Sequence, residues 1–197
     1  AGTVILSMLS GISNAGLLAP ITVSGTGFFS NNTSLISNVV VPVERSYWAS
    51  TTNVYWKGTA PTFTLDFGGL YKIDDVLASV DNNDWYNITY SINSLVWTNL
   101  FTIDKGDGEQ DYGMDTMSTD SAHPEYVAGI DFISVQARYL RIKATGGDGS
   151  YSIGELQAFG SAAAELPVSV PEPSITALLA AGLFGLGFTL RRRTRQS

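Results

Sequence analysis

From Thr62 to Phe67 the chain alternates polar and apolar residues without a break, with Phe63, Leu65 and Phe67 on one side and Thr62, Thr64 and Asp66 on the other. Side chains of an extended backbone point alternately to two faces, so this pattern buries one face and wets the other only as a β-strand. The pattern recurs. Tyr86, Ile88, Tyr90 and Ile92 oppose Asn87, Thr89 and Ser91, while Leu140, Ile142 and Ala144 oppose Tyr139, Arg141 and Lys143. Val76, Ala78 and Val80 extend it, and Trp97–Ile103 is a further apolar run. Gly68-Gly69, Asp81–Asp84, Asn93-Ser94, Gly106–Gly108 and Gly146-Gly147 are residue types that punctuate such strands with turns. No window between residues 16 and 160 sustains a helical period. These features predict an all-β fold, an antiparallel jelly-roll sandwich.

Both ends depart from this texture. Val4–Gly11 is short and apolar and is followed by Ser13-Asn14-Ala15, which reads as the core and cleavage site of a secretory signal peptide over residues 1–15, truncated at its start. At the other end, residues 161–170, with their alanines and Pro167, read as a linker. Pro171-Glu172-Pro173 then opens a segment over 171–197 with an expected transmembrane helix at 174–190. Its apolar stretch Ile175–Leu190 would span about 24 Å as a helix, against about 30 Å for a bilayer core. Flanking arginines extend such a reach by snorkelling. Arg191, Arg192 and Arg193 mark the cytoplasmic side and place everything before Pro171 across the membrane.

The charge divides along the same boundaries. Residues 16–160 carry sixteen acidic and seven basic side chains, net −9, while four of the eleven basic residues lie in the last seven positions. Such a surface repels phosphate backbones, which argues against nucleic acid as a partner. The absence of cysteine excludes thiol catalysis, disulfide frameworks and cysteine-based zinc sites. A unit of this size buries about 68–70% of its unfolded surface and needs no staple.

The order Val170-Pro171-Glu172-Pro173-Ser174, a Gly/Ala/Leu-rich helix and an arginine stop resembles the PEP-CTERM sorting signal of Gram-negative bacteria. The resemblance implies export, a stay in the inner membrane, and tail removal by an exosortase-like membrane protease. It also implies a setting of exopolysaccharide and biofilm production.

The central region resembles the discoidin, or coagulation-factor 5/8 type C, domain, a galactose-binding-like jelly roll. The motifs are Ser46-Tyr47-Trp48-Ala49-Ser50, Phe63–Gly68, Tyr90-Ser91 with Trp97-Thr98, Ala137–Ile142 and Gly154–Gly160. The resemblance places ligand loops at one end of the sandwich. Asp81-Asn82-Asn83-Asp84-Trp85 and Phe28-Phe29-Ser30-Asn31-Asn32 are the candidates, with Asn82, Asn83, Asp84, Trp85, Phe29 and Asn31 as ligand-binding residues. Amides and carboxylates match hydroxyl pairs, and an indole offers a plane to the C–H face of a sugar. The competing reading is that Trp85 caps the core while the Asn and Asp residues form the turn. Trp48 and Trp56 are assigned to packing.

Catalysis finds little support. His123 is the single histidine, without a nucleophile elbow, and Asp74-Asp75 are adjacent on a strand and face opposite ways. No cofactor is required. A metal is left open: Asp107, Glu109 and Asp111 form an acidic turn without EF-hand spacing, and the resemblance allows a structural calcium held by Glu155. A surface Glu155, paired with Arg138 or Arg141, is the alternative. The expected function is therefore an exported, non-catalytic protein that binds extracellular polysaccharide. The alternative is a structural matrix protein or adhesin acting through protein contacts.

Overall fold

The computed structural model describes residues 15–163. Most of the expected signal peptide and linker, and all of the sorting tail with its helix at 174–190, lie outside the described residues. No helix among the described residues is long and apolar enough to cross a membrane. The described residues form nine strands: β1 (Gly16–Leu18), β2 (Thr22–Thr26), β3 (Val54–Lys57), β4 (Thr62–Asp81), β5 (Trp85–Ser91), β6 (Thr98–Ile103), β7 (Met114–Ser118), β8 (Val135–Gly146) and β9 (Ser150–Ala162). Among the described residues the helical content is two 3-10 turns, Thr33–Ser37 and Ala128–Ile130.

All pairings between strands are antiparallel, and they make two layers. One runs β2-β4-β8-β5-β6. The other is centred on β9, which has β1 and β3 on one side and the second half of β4 on the other, with β7 beyond β4. The β4 strand belongs to both. Phe63, Leu65 and Phe67 in its first half and Ile73, Val76, Ala78 and Val80 in its second half are buried. They meet Tyr86, Ile88, Leu140, Ile142 and Ile153 in one core. Trp56 closes one part of it, 4.9 Å from Phe63 and 5.9 Å from Tyr151 between ring centroids.

Three sequence expectations change. Gly68-Gly69 is no turn; it is a kink inside β4, where Gly68 takes φ 77° and the register with β8 shifts between Asp66 and Tyr71. Asp66 fixes the kink, because its Oδ1 accepts the Gly68 N–H at 2.7 Å and the Arg138 Nε–H at 2.8 Å. Ile92 does not share the buried face of Tyr86 and Ile88; β5 stops at Ser91 and Ile92 is exposed in the following turn. In that turn Ser94, at φ 60°, takes the left-handed position, while Asn93 Oδ1 accepts the N–H groups of Leu95 and Val96. Last, β9 continues through Ser161 and Ala162, which pair with Lys72 and Tyr71, so the first two residues of the expected linker lie in the sheet.

The outer face of the β9 layer is covered rather than wet. Pro42 is buried against Gly154, and the Thr116 N–H donates to Glu44 at 3.1 Å. Covering residues 38–48 therefore pack on β7 and β9. The stretch 104–132, which the sequence left without an architecture, supplies β7 to this layer.

Gly160 of β9 sits where a Cβ would lie 1.9 Å from the Lys72 carbonyl oxygen, a backbone atom that cannot step aside cheaply. Gly160→Ala is expected to cost about 2–3 kcal/mol of stability in denaturant titration. Gly16→Ala, whose nearest obstacle is 3.9 Å away, is expected to stay within about 0.5 kcal/mol.

Candidate functional site

The turn joining β4 to β5 is held by hydrogen bonds that sort its five residues into inner and outer positions. The Asn82 N–H donates to the Gly113 carbonyl at 2.9 Å. Asp84 Oδ1 accepts the Asp148 N–H at 3.0 Å, and its Oδ2 accepts the Tyr86 hydroxyl at 3.5 Å. Gly147, at φ 133°, is needed here because a Cβ would fall 1.7 Å from Asp84 Oδ1. Asn82 and Asp84 are consequently buried, and Asp81 with them. Asn83 is half-buried and donates through Nδ2 to Asp148 Oδ2 at 3.1 Å. Trp85 is 38% exposed, its six-membered ring lying over Gly146.

Asn83 and Asp148 form one wall of a cleft of about 310 Å³, whose other lining residues include Arg45, Tyr47, Trp48, Asp81 and Tyr112. The Arg45 backbone, at φ 60°, is tied to β7 by its N–H on the Met114 carbonyl at 2.8 Å, and Met114 returns its own N–H to Ser46 at 3.1 Å. The Arg45 side chain lies over the Tyr112 ring at 5.4 Å and donates through Nε to Gln110. Trp48 stands edge-on to Tyr55 at 5.6 Å and tilted against Tyr47 at 5.8 Å. Three aromatic planes, one guanidinium, two carboxylates and an amide thus border the same opening.

Of the six residues expected to bind ligand, Asn83 alone borders this cleft. Asn31 spends its Nδ2 on the carbonyls of Asn53 (2.7 Å) and Ser50 (3.0 Å). The buried Asn53 in turn donates to the Trp48 carbonyl at 3.0 Å, so Asn31 supports the turn that carries Trp48. Phe29 packs edge-on against Phe63 at 5.1 Å and belongs with the core. Trp56 is buried as expected, but Trp48 is half-buried and borders the opening. Arg45, Tyr112 and Asp148 escaped the sequence reading because their meeting depends on long-range pairing. The run Gly146-Gly147-Asp148-Gly149 was the one local signal that a tight, carboxylate-bearing turn lies here.

Among the described residues no group of three or more His, Cys, Asp or Glu is placed to hold a metal. Asp107 closes its own turn by accepting the Asp104 N–H at 2.7 Å. Glu155 is fully buried; one of its oxygens accepts the Val39 N–H at 3.3 Å while the other has no protein partner. Neither arginine reaches Glu155 as its ion-pair partner: Arg138 pairs with Asp66, and Arg141 is stacked on Trp97. His123 Nδ1 accepts the Glu125 N–H at 3.1 Å within a loop.

Comparison with known proteins adds two findings. Residues 169–193 match the model of the PEP-CTERM protein-sorting motif, which marks an exported protein processed at the membrane. No curated protein matches the chain. Among solved structures, the CBM32 module of AlyQ in complex with 4,5-unsaturated mannuronic acid aligns with a TM-score of 0.51 at 16% identity, over 73% of this chain and 97% of that one. Truncated AlyQ with CBM32 and alginate lyase domains gives 0.52 at 17% identity, over 81% of this chain and 37% of that one. At such identities the likeness is one of fold alone, an all-β jelly-roll sandwich.

The buried acids give this region a pH signature. Burial pushes Asp81 up to about 7, helped by repulsion from Asp148, and pushes Asp84 to about 7, with Asp81 and Asp148 adding to it. Burial also raises Glu44 to about 7, with Asp115 as neighbour, and Glu155 to about 7. Each group binds its proton more tightly folded than unfolded, so its contribution to stability is full below the ordinary carboxyl range and is lost as pH rises through about 7. Asp66, held low by its hydrogen bonds from Arg138, weakens the fold only at the acid extreme. The protein is expected to melt at a higher temperature at about pH 5 than at about pH 8, and Asp81→Asn to narrow the difference. Melting temperatures that rise across this window would contradict the assignment.

Proposed function

We propose that the protein is an exported, non-catalytic carbohydrate-binding protein that retains extracellular polysaccharide at the cell surface or in a biofilm matrix. The observation that carries this reading is the cleft between the β4–β5 turn and the covering segment. Tyr47, Trp48 and Tyr112 offer planes to the C–H faces of a sugar. Asn83, Asp148 and Arg45 offer the planar donors and acceptors that pair with vicinal hydroxyls. Trp85 is an additional exposed plane beginning the strand next to that turn. The sugar ligand named for the AlyQ module supports the ligand class.

The same proposal assigns residues 1–15 to export, 16–160 to binding, 161–170 to a linker and 171–197 to sorting. Helix 174–190 would hold the precursor in the inner membrane of a Gram-negative bacterium, with Arg191–Arg193 inside, until an exosortase-type protease acts near Pro171-Glu172-Pro173. An epitope tag after residue 195 should stay in the membrane fraction while one placed before residue 165 leaves it. Two tags that remain together in every fraction would contradict processing.

A second reading, a structural matrix protein or adhesin, is favoured by the exposure of Val39, Val40 and Val43 on the covering segment, at 61%, 57% and 78%. The two part experimentally. Under glycan binding, Asn83→Ala and Tyr112→Ala each reduce retention on the producer's own polysaccharide about tenfold, and Val43→Ser changes nothing. Under the second reading, light scattering shows concentration-dependent association that Val43→Ser abolishes, with retention untouched by the cleft variants.

A further inference from the structure

A concavity of about 490 Å³ lies on the open face of the β2-β4-β8-β5-β6 layer, not at the loop end. Its floor is set by register. Ser24 stands beside Thr64, Thr64 beside Arg141, and Arg141 beside Thr89, one polar row across four strands. The neighbouring row runs Thr22, Asp66, Tyr139 and Ser91. The turn after β5 raises one wall, Trp97, whose indole N–H donates to the Ser94 carbonyl at 3.1 Å. Tyr139 lies 6.4 Å from that indole.

The charges on this floor are unequal in their needs. Asp66 is already neutralised by two hydrogen bonds from Arg138, at 2.8 and 2.9 Å. Arg141 has no carboxylate partner among the described residues. Its guanidinium is stacked 4.0 Å over the Trp97 ring and spends only Nε–H, on Thr89 at 3.3 Å. A half-buried guanidinium with unspent parallel N–H groups is the fork that a carboxylate matches. In a domain of net charge −9 it is also a local exception.

We infer that this sheet face is a second binding surface, for an extended acidic polysaccharide, with Arg141 taking the carboxylate of a uronate residue. Trp97 and Tyr139 supply stacking planes, and the hydroxyls of Thr22, Ser24 and Thr64 that line the floor meet the ring hydroxyls of successive sugars. Extended glycans suit a flat, hydroxyl-lined floor, whereas the loop-end cleft suits a chain end or a branch. The inference rests on the reading of the protein as a glycan binder but not on which residues of the loop-end cleft do the binding. Because the domain is acidic throughout, non-specific adsorption of a polyanion is disfavoured, and retention reports a site.

The test uses the full chain in detergent, with immobilised polygalacturonate and its fully methyl-esterified form of equal length. The unmodified protein should bind the free acid at least about tenfold more tightly than the ester. Arg141→Gln should erase that preference. Arg141→Lys, which keeps the charge but not the fork, should retain part of it and verifies that the site is intact. Tyr112→Ala, in the loop-end cleft, should lower retention of acid and ester by the same factor and so leave their ratio in place. A preference that survives Arg141→Gln overturns the inference, as does one that disappears in Tyr112→Ala. Ester and acid bound equally, both through Tyr112, would overturn the second surface alone; no polysaccharide retained in either form would remove the glycan reading as well.

Discussion

Both layers of the sandwich are bonded through β4. Before the kink it pairs with β2 and β8; beyond the kink it keeps β8 through Tyr71–Ile73 and takes up β9 and then β7, so the strand passes from one layer to the other across this bend. That kink has a definite chemistry. Gly68 supplies a conformation other residues rarely adopt, and the Asp66 carboxylate clamps it by accepting the Gly68 amide and the Arg138 guanidinium. The ion pair joins β4 to β8 on the solvent face while Phe63, Leu65 and Phe67 fill the other. The polar rows of the β2-β4-β8-β5-β6 face lie on strands joined at this bend.

The loop end is built by a different logic. Asp81, Asn82 and Asp84 face inward, and their polar atoms are only partly satisfied: neither amide atom of Asn82 has a protein partner. The turn is stapled to the 146–150 hairpin through Asp148 and to the covering segment through Gly113, Ser46 and Met114. Inner residues thus hold positions, and outer ones, Asn83, Asp148 and the aromatics of the covering segment, face the opening. Three segments distant in sequence must meet to make it.

This explains what was legible in the sequence. Period-two alternation located β4, β5 and β8 because each buries one face, and the burial of Phe63, Leu65, Leu140 and Ile142 follows it residue by residue. The same signal misled at Gly68-Gly69, since a glycine pair serves a bend inside a strand as well as a turn between two. Asp81–Trp85 read as one polar, exposed patch, but Asp81, Asn82 and Asp84 are buried, the turn being held by the Gly113 carbonyl on the Asn82 N–H and by Asp84 on the Asp148 N–H, contacts distant in sequence. Trp48 read as packing because sequence cannot show that Arg45, Tyr112 and Asp148 converge on it. The row Ser24-Thr64-Arg141-Thr89 was equally hidden, being a property of register and not of any one strand.

The pairing of Gly16 with Gly160 has a consequence for biogenesis. The last strand, β9, is the centre of its layer, bonded on one side to the earliest strand of the domain and on the other to β4. Until residue 162 has emerged, that layer has no middle, and the hydrophobic faces of β3 and of the second half of β4 lack their partner. A chain threaded across a membrane from its amino end can therefore complete this fold only when the sorting segment is the next thing to arrive. Closure of the sandwich and capture of the tail become neighbouring events in time, an order of assembly written into strand connectivity.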